Sequence, residues 1–134
     1  MYDGEYNEDI RHGYGTLKEI RGPTQHEGSR YCEYFGMFEN DRFHGKGRFL
    51  VYDSKKKLIK FEEHEGYYKD GMRDGLGKHS RLKDSEVCGD EEDYRKDILY
   101  AKVHEYVEFV GDFFYDKPVY HSGVLKHVKI PVNG

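Results

Sequence analysis

The stretch YFGMFENDRFHGKGRF, residues 34–49, decides how this chain folds. Its two apolar runs, separated by the polar residues ENDR, predict two short strands joined by a turn. Along the first strand Tyr34, Gly36 and Phe38 alternate with other residues and therefore share one face. The second strand has the same alternation, at Gly45, Gly47 and Phe49.

An antiparallel pairing of these strands would place aromatic rings over glycines. The simplest register pairs Phe38 with Gly45, Gly36 with Gly47, and Tyr34 with Phe49. Glycine weakens a strand, so glycines at several strand positions indicate that another group packs closely against the backbone. A ring that covers the bare backbone compensates for the missing side chain. We therefore predict a hairpin with rings on a floor of glycines.

The same unit recurs along the chain. One copy, YDGEYNEDIRHGYG, begins at Tyr2, and another, HEGYYKDGMRDGLG, begins at His64. A fourth copy begins at Phe109 but has Tyr120 and Ser122 where the glycine pair is expected, as is common for terminal repeats. We predict a structural role for the repeat glycines, which are Gly4, Gly13, Gly15, Gly36, Gly45, Gly47, Gly66, Gly75, Gly77 and Gly111.

These copies resemble the MORN repeat, whose core pattern is close to YxGxF, a polar turn and then HGxG. Three copies match this pattern at nearly every diagnostic position, and the fourth matches in its first half. Strand and turn signals alone predict an all-β fold, a single elongated antiparallel meander of about eight strands. We expect one domain over 1–134, with repeats near 2–17, 34–49, 64–79 and 109–124.

Variable loops are predicted between the copies, at 21–29, 53–57 and 84–97, where turn formers or charged residues cluster. The segment before the fourth copy has two interpretations. A strand over 99–109 is favoured by the alternation that leads into Gly111. A short helix near 92–101 is the alternative, because Tyr94, Ile98 and Ala101 lie at helical spacing.

Composition favours a binding module over other classes. The chain has a formal net charge of −4 and no basic block, so nucleic acid is not expected as a partner. Its 13 Tyr and 8 Phe argue against disorder despite 36% charged residues. With two distant cysteines and no apolar run long enough to cross a membrane, we expect a cytoplasmic protein with reduced thiols.

Neither a metal site nor a catalytic site is predicted. His12 and His44 occupy the same place in successive copies, so they would lie on neighbouring hairpins and not around one ion. No acid–base pair, nucleophile elbow or phosphate loop is recognisable. We therefore expect no cofactor and no enzymatic activity.

An uncovered aromatic face would be a site for a protein partner, because large apolar patches rarely stay exposed. We predict a non-enzymatic scaffold module that binds a helix or an extended segment of a partner in a larger assembly. The residues predicted to contact the partner are Tyr6, Tyr34, Phe38, Tyr68 and Phe113. The sequence leaves open whether their rings form a core or an open groove.

The resemblance to MORN proteins implies cytoskeletal, ciliary or axonemal assemblies and self-association through the sheet ends. It also leaves two alternatives. The first is a peripheral module that binds anionic phospholipid, for which the chain offers the lysines at 55–57, Arg42 and Lys46. The second is an accessory domain of a larger enzyme.

Overall fold

A computed structural model describes residues 1–21, 30–52, 60–83 and 103–131. The predicted loops lie outside these residues, except that Arg21 ends a strand. The helix considered at 92–101 lies outside them as well. Of the strand predicted over 99–109, the described part is a strand from Val103 onward.

Among the described residues, nine strands form one antiparallel sheet. They are β1 (Tyr2–Asn7), β2 (Ile10–Arg21), β3 (Arg30–Glu39), β4 (Arg42–Tyr52), β5 (Lys60–Lys69), β6 (Met72–Leu82), β7 (Val103–Phe114), β8 (Lys117–Pro118) and β9 (Val124–Pro131). Each strand from β1 to β7 pairs with the next one along the chain, and β9 also pairs with β7. The predicted all-β meander of consecutive hairpins is confirmed.

Each hairpin closes through a two-residue turn in which both residues have positive φ. In the second hairpin these residues are Asn40 (φ 50°) and Asp41 (φ 71°). Turns of this hand match the right-handed twist of the flanking strands. The short polar side chains of Asn and Asp tolerate this conformation better than most, which explains the acidic turn sequences.

The register of the hairpins corrects one prediction. Gly36 pairs with Gly47 and Tyr34 with Phe49 as expected, but Phe38 pairs with Phe43 and not with Gly45. Three residues of β4 face the single residue Met37 on β3, so β4 bulges. Gly45 adopts a φ of +76° in this bulge. The alternation rule missed it because it assumes equal strand lengths.

The glycine floor exists, and its basis is steric. A Cβ atom on Gly36 would lie 2.5 Å from the Gly47 Cα atom across the strand pair. One on Gly47 would lie 2.5 Å from the Cζ atom of Tyr34. Since real Cβ atoms do not approach so closely, only glycine allows the two backbones and the ring to meet here.

The fourth hairpin keeps a glycine that the sequence analysis had assigned as lost. Val110 pairs with Val124, which brings Gly123 against Gly111. The predicted equivalence of Ser122 with the second glycine was therefore wrong by one residue. The extra residue is absorbed by a short 3-10 turn, Tyr120–Ser122, that separates β8 from β9.

Candidate partner-binding face

One face of the sheet, which we call the ring face, carries a continuous series of aromatic rings. Neighbouring rings in the series meet edge to face, with centroids 4.6 to 5.6 Å apart. Such pairs are stabilised beyond their burial by about 0.5–1.5 kcal/mol each. In order, the rings are Tyr6, Tyr2, Phe38, Tyr34, Tyr68, His64, Phe113, Phe109 and Tyr120.

The series links each hairpin to the next one. Tyr34 meets Phe38 within its own hairpin at 5.1 Å, and it meets Tyr68 of the following hairpin at 5.5 Å. The ring of Tyr2 meets Phe38 in the same way, at 5.1 Å. A ring on one hairpin is therefore buried by its neighbour, which explains why a single sheet has a core.

Three tyrosine hydroxyls of the series, including that of Tyr68, donate to backbone carbonyls. Tyr2 donates to the Glu5 oxygen at 2.7 Å, and Tyr34 donates to the Met37 oxygen at 2.8 Å. Burial raises the pKa of Tyr34 because the phenolate would lose its hydration.

His64 occupies the equivalent place in the third hairpin and lacks this hydrogen bond. Among the described residues, neither of its ring nitrogens has a hydrogen-bond partner. Burial, with the charges of His79 and Arg73 adding to it, lowers the pKa of His64 to about 3. The ring is therefore neutral at pH 7.

Two arginines join successive hairpin turns. The Arg11 guanidinium pairs with the Asp41 carboxylate of the next turn, and Arg73 Nε donates to Asp116 Oδ1 at 2.8 Å. The hydrogen bond from Arg11 holds the pKa of Asp41 below its ordinary value. The equivalent place in the second hairpin is taken by Phe43, which stacks on Tyr34 with centroids 3.7 Å apart.

The structure places the five predicted contact residues in two environments. Tyr34, Phe38, Tyr68 and Phe113 are each at most 6% exposed, so in this fold they form the core and not an open groove. Tyr6 is 60% exposed at the start of the series. Contact between any of the five and a partner stays a prediction.

A line of less buried side chains crosses the ring face beside this core. Its members are partly buried or exposed, and each lies two residues after the second glycine of its hairpin. We call them the groove line: Leu17, Phe49, His79 and Leu125. The sequence analysis did not select them as candidate contact residues, although their fixed offset from the glycines was a readable signal. At the Leu125 end the line borders a depression of about 180 Å³ that includes Phe109 and Tyr120.

The other side of the sheet, the opposite face, combines exposed apolar residues with paired charges. Arg48 pairs with Glu63 at 2.6 Å, while Lys78 and Lys126 approach Glu108 at 3.7 and 3.3 Å. Its exposed apolar residues include Tyr14, Phe35, Tyr67, Leu76, Val110 and Val124.

The described ranges contain neither a metal-binding cluster nor a membrane-spanning helix. No three His, Cys, Asp or Glu side chains there are grouped so that they would hold a metal ion. In the same residues no helix is long and apolar enough to span a membrane.

Comparison with protein families identifies the repeated unit. The MORN repeat model matches residues 2–18, 34–50 and 64–81, which are the first three hairpins. No curated protein sequence matched the chain. MORN repeats occur in modules that bind proteins or membranes and are generally not enzymes. With three matched repeats, each folded as a glycine-floored hairpin, the chain belongs to the MORN-repeat proteins.

Proposed function

We propose that this protein is a non-enzymatic interaction module that binds an amphipathic helix of a partner protein across the strands of its ring face. Residues of the partner would contact the groove line, since the rings of the neighbouring core are already buried by one another. The setting that we propose is a multi-subunit assembly in the cytoplasm, of cytoskeletal or ciliary type.

The spacing of the groove line carries this proposal. Its residues lie on β2, β4, β6 and β9, and these strands alternate with the opening strands of the hairpins. Strands are about 4.8 Å apart, so successive members of the line are roughly 9.6 Å apart. Seven residues of α-helix rise about 10.5 Å, which nearly matches this distance. A helix with apolar residues at every seventh position would contact each member in turn.

An extended segment fits the line less well. Three residues of a strand span about 10 Å, but side chains three positions apart point to opposite sides of a strand. Consecutive apolar anchors on an extended partner would therefore face alternately toward and away from the sheet. The helix is the better of the two occupants predicted from the sequence.

The chemistry of the line also suits an apolar helix face. Burial, with the charge of Arg73 adding to it, lowers the pKa of His79 to about 4, so the side chain is uncharged at pH 7. Leu125 is 53% exposed and borders the depression beside Tyr120. This end of the line would receive the last apolar side chain of the helix.

Anionic lipid is a weaker candidate, because several basic groups on the opposite face have acidic partners. Arg48, Lys78 and Lys126 each pair with a glutamate. Lipid binding would require free positive charge on a face that approaches the membrane. The lysines at 55–57 lie outside the described residues.

The test compares synthetic helical peptides on matched variants. A peptide with leucines seven residues apart should bind the unaltered protein, and an isomer with the same leucines five residues apart should not. Leu17→Ser/Leu125→Ser should weaken binding at least about tenfold, equivalent to about 1.4 kcal/mol. Tyr14→Ser/Leu76→Ser removes apolar surface from the opposite face and is the control.

Isothermal titration calorimetry measures the affinities, and circular dichroism checks that both variants stay folded. Equal loss in both double variants would contradict binding on the ring face. Binding of the protein to vesicles of anionic phospholipid, without binding to either peptide, would favour the membrane alternative.

A further inference from the structure

Two of the three junctions between successive hairpins have the same set of contacts. At the first junction Arg11 stacks over Phe38, 5.2 Å from the ring centroid, and pairs with Asp41. The Asp41 N–H also donates to the Arg11 carbonyl at 3.0 Å. The junction into the fourth hairpin repeats this arrangement, with Arg73 against Phe113 and Asp116.

The free edge of β1 presents the receiving half of such a junction. Tyr6 stands where Phe38 and Phe113 stand in their hairpins, and Asp9 stands where Asp41 and Asp116 stand. Yet Tyr6 is 60% exposed, whereas Phe38 is 1% exposed. Within the described residues, Asp9 has no arginine partner and β1 pairs only with β2.

The other end of the sheet is finished differently. There the ring of Tyr120 packs on Phe109 at 5.5 Å, in the direction where a further hairpin would supply a ring. Pro118 pairs with Phe113 and so occupies the place of the joining arginines. At this end the chain itself therefore caps the ring series and fills the arginine position. Within the described residues the outer edge of β9 is nevertheless unpaired, like that of β1.

We propose that the β1 edge is a docking site for an arginine-bearing β-hairpin of another protein, which adds to the sheet as a preceding repeat. The second strand of this hairpin pairs with β1. Its arginine stacks on the Tyr6 ring and forms an ion pair with Asp9. Charge complementarity supports this occupant, because residues 2–9 hold four acidic and no basic side chains. The two junctions that contain Arg11 and Arg73 show the geometry that the docked hairpin would take.

A second copy of this chain is a poorer occupant. Its capped end carries Pro118 and has no arginine in the joining position. Two β1 edges placed against each other would bring Asp3 and Glu5 of one copy close to the same acids of the other, and like charges facing each other destabilise a strand pair.

The experiment supplies such a hairpin at high effective concentration. Residues 62–82 of this chain, which contain Arg73, are duplicated and joined ahead of Met1 through a flexible Gly/Ser linker of about ten residues. We expect the fusion to melt at least about 5 °C above the parent protein. Hydrogen exchange of the β1 amides should also slow, since their outer edge becomes paired.

Three substitutions test the chemistry of the docked edge. The rise in melting temperature should be lost with Asp9→Asn. It should also be lost with Arg73→Gln when that substitution is made in the duplicated hairpin and not in the original one. It should survive Asp3→Asn, which removes an acid of β1 that lies on the opposite face. A fusion with the same melting temperature as the parent protein overturns the proposal. So does a rise in melting temperature that Asp9→Asn does not reduce. So does a dimer of the unaltered chain, seen by sedimentation velocity and abolished by Asp9→Asn, because the occupant would then be a second copy.

Discussion

Phe38 and Tyr6 occupy equivalent places in successive hairpins but differ in what lies beside them. Phe38 is enclosed by Tyr2 of the preceding hairpin and by Tyr34 and Phe43 of its own, while Tyr6 meets only Tyr2 among the described rings. We expect Phe38→Ala to lower the free energy of unfolding by about 3–5 kcal/mol. Tyr6→Ala should cost about 1 kcal/mol or less, the value of one exposed ring contact.

Urea denaturation of the two variants measures this difference. Because both residues hold the same position in the repeat, the pair separates the effect of burial from the effect of sequence context. Similar losses in both would mean that the repeat position, and not the neighbouring hairpin, determines the contribution of the ring.

The buried histidines predict a pH dependence. The pKa values of His64 and His79 are lowered from 6.5 to about 3 and about 4. Below pH 6.5 these two histidines therefore bind protons in the unfolded chain but stay neutral in the folded chain. The free energy of unfolding consequently falls as pH falls. Each histidine contributes a slope of up to about 1.4 kcal/mol per pH unit.

The window from pH 6.5 to 5 isolates this effect, since carboxylates keep their charge there. Urea midpoints across the window should fall with pH in the unaltered protein. They should fall less steeply in His64→Tyr, which introduces the tyrosine found at this place in the first two hairpins. His121→Gln, at an exposed position, is the control and should follow the unaltered protein. A flat profile in the unaltered protein would contradict the burial of the two rings as neutral groups.

At the scale of the hairpin, the glycines serve two separate purposes that substitution can distinguish. Gly47 has ordinary φ but no room, because a Cβ atom would enter the Tyr34 ring. Gly71 has a φ of +84° with nothing within 4 Å of the added atom. We expect Gly47→Ala to cost about 3 kcal/mol through overpacking and Gly71→Ala about 1 kcal/mol through backbone strain.

Thermal unfolding followed by near-ultraviolet circular dichroism reports on both stability and the tyrosine environment. The signal should change in Gly47→Ala, because Tyr34 is displaced from the floor, and should persist in Gly71→Ala. An unchanged signal in both variants would argue against the packing of rings on glycine.

The hairpins were predictable from sequence because their signals are local. Alternating rings and glycines around a polar turn predict both the strands and the face that carries the rings. The bulge at Gly45 was not predictable by alternation, since it depends on how β4 adapts to the two-residue turn. The burial of Phe38 was also out of reach, because the ring that covers it comes from the preceding hairpin.

At the scale of the whole molecule, the sheet is a one-dimensional series in which each hairpin is stabilised mainly by its neighbours. The ring contacts and the arginine pairs both act between adjacent hairpins. Each hairpin should therefore depend on its neighbours for stability. The destabilising effect of a substitution at one end should decrease with distance along the series. The two ends are unequal, because Tyr120 and Pro118 fill the ring and arginine positions at the C-terminal end and nothing among the described residues fills them beside β1.

Removal of the cap tests this description. Tyr120→Ala deletes the ring that packs on Phe109, and we expect a loss of about 1 kcal/mol. In hydrogen exchange, amides of β7 and β9 should exchange faster while those of β1 and β2 keep their rates. Tyr115→Ala, at an exposed turn position outside the series, is the matched control. Uniform acceleration across all strands would mean that the sheet opens as one cooperative unit, and that the hairpins are coupled more strongly than nearest-neighbour contacts allow.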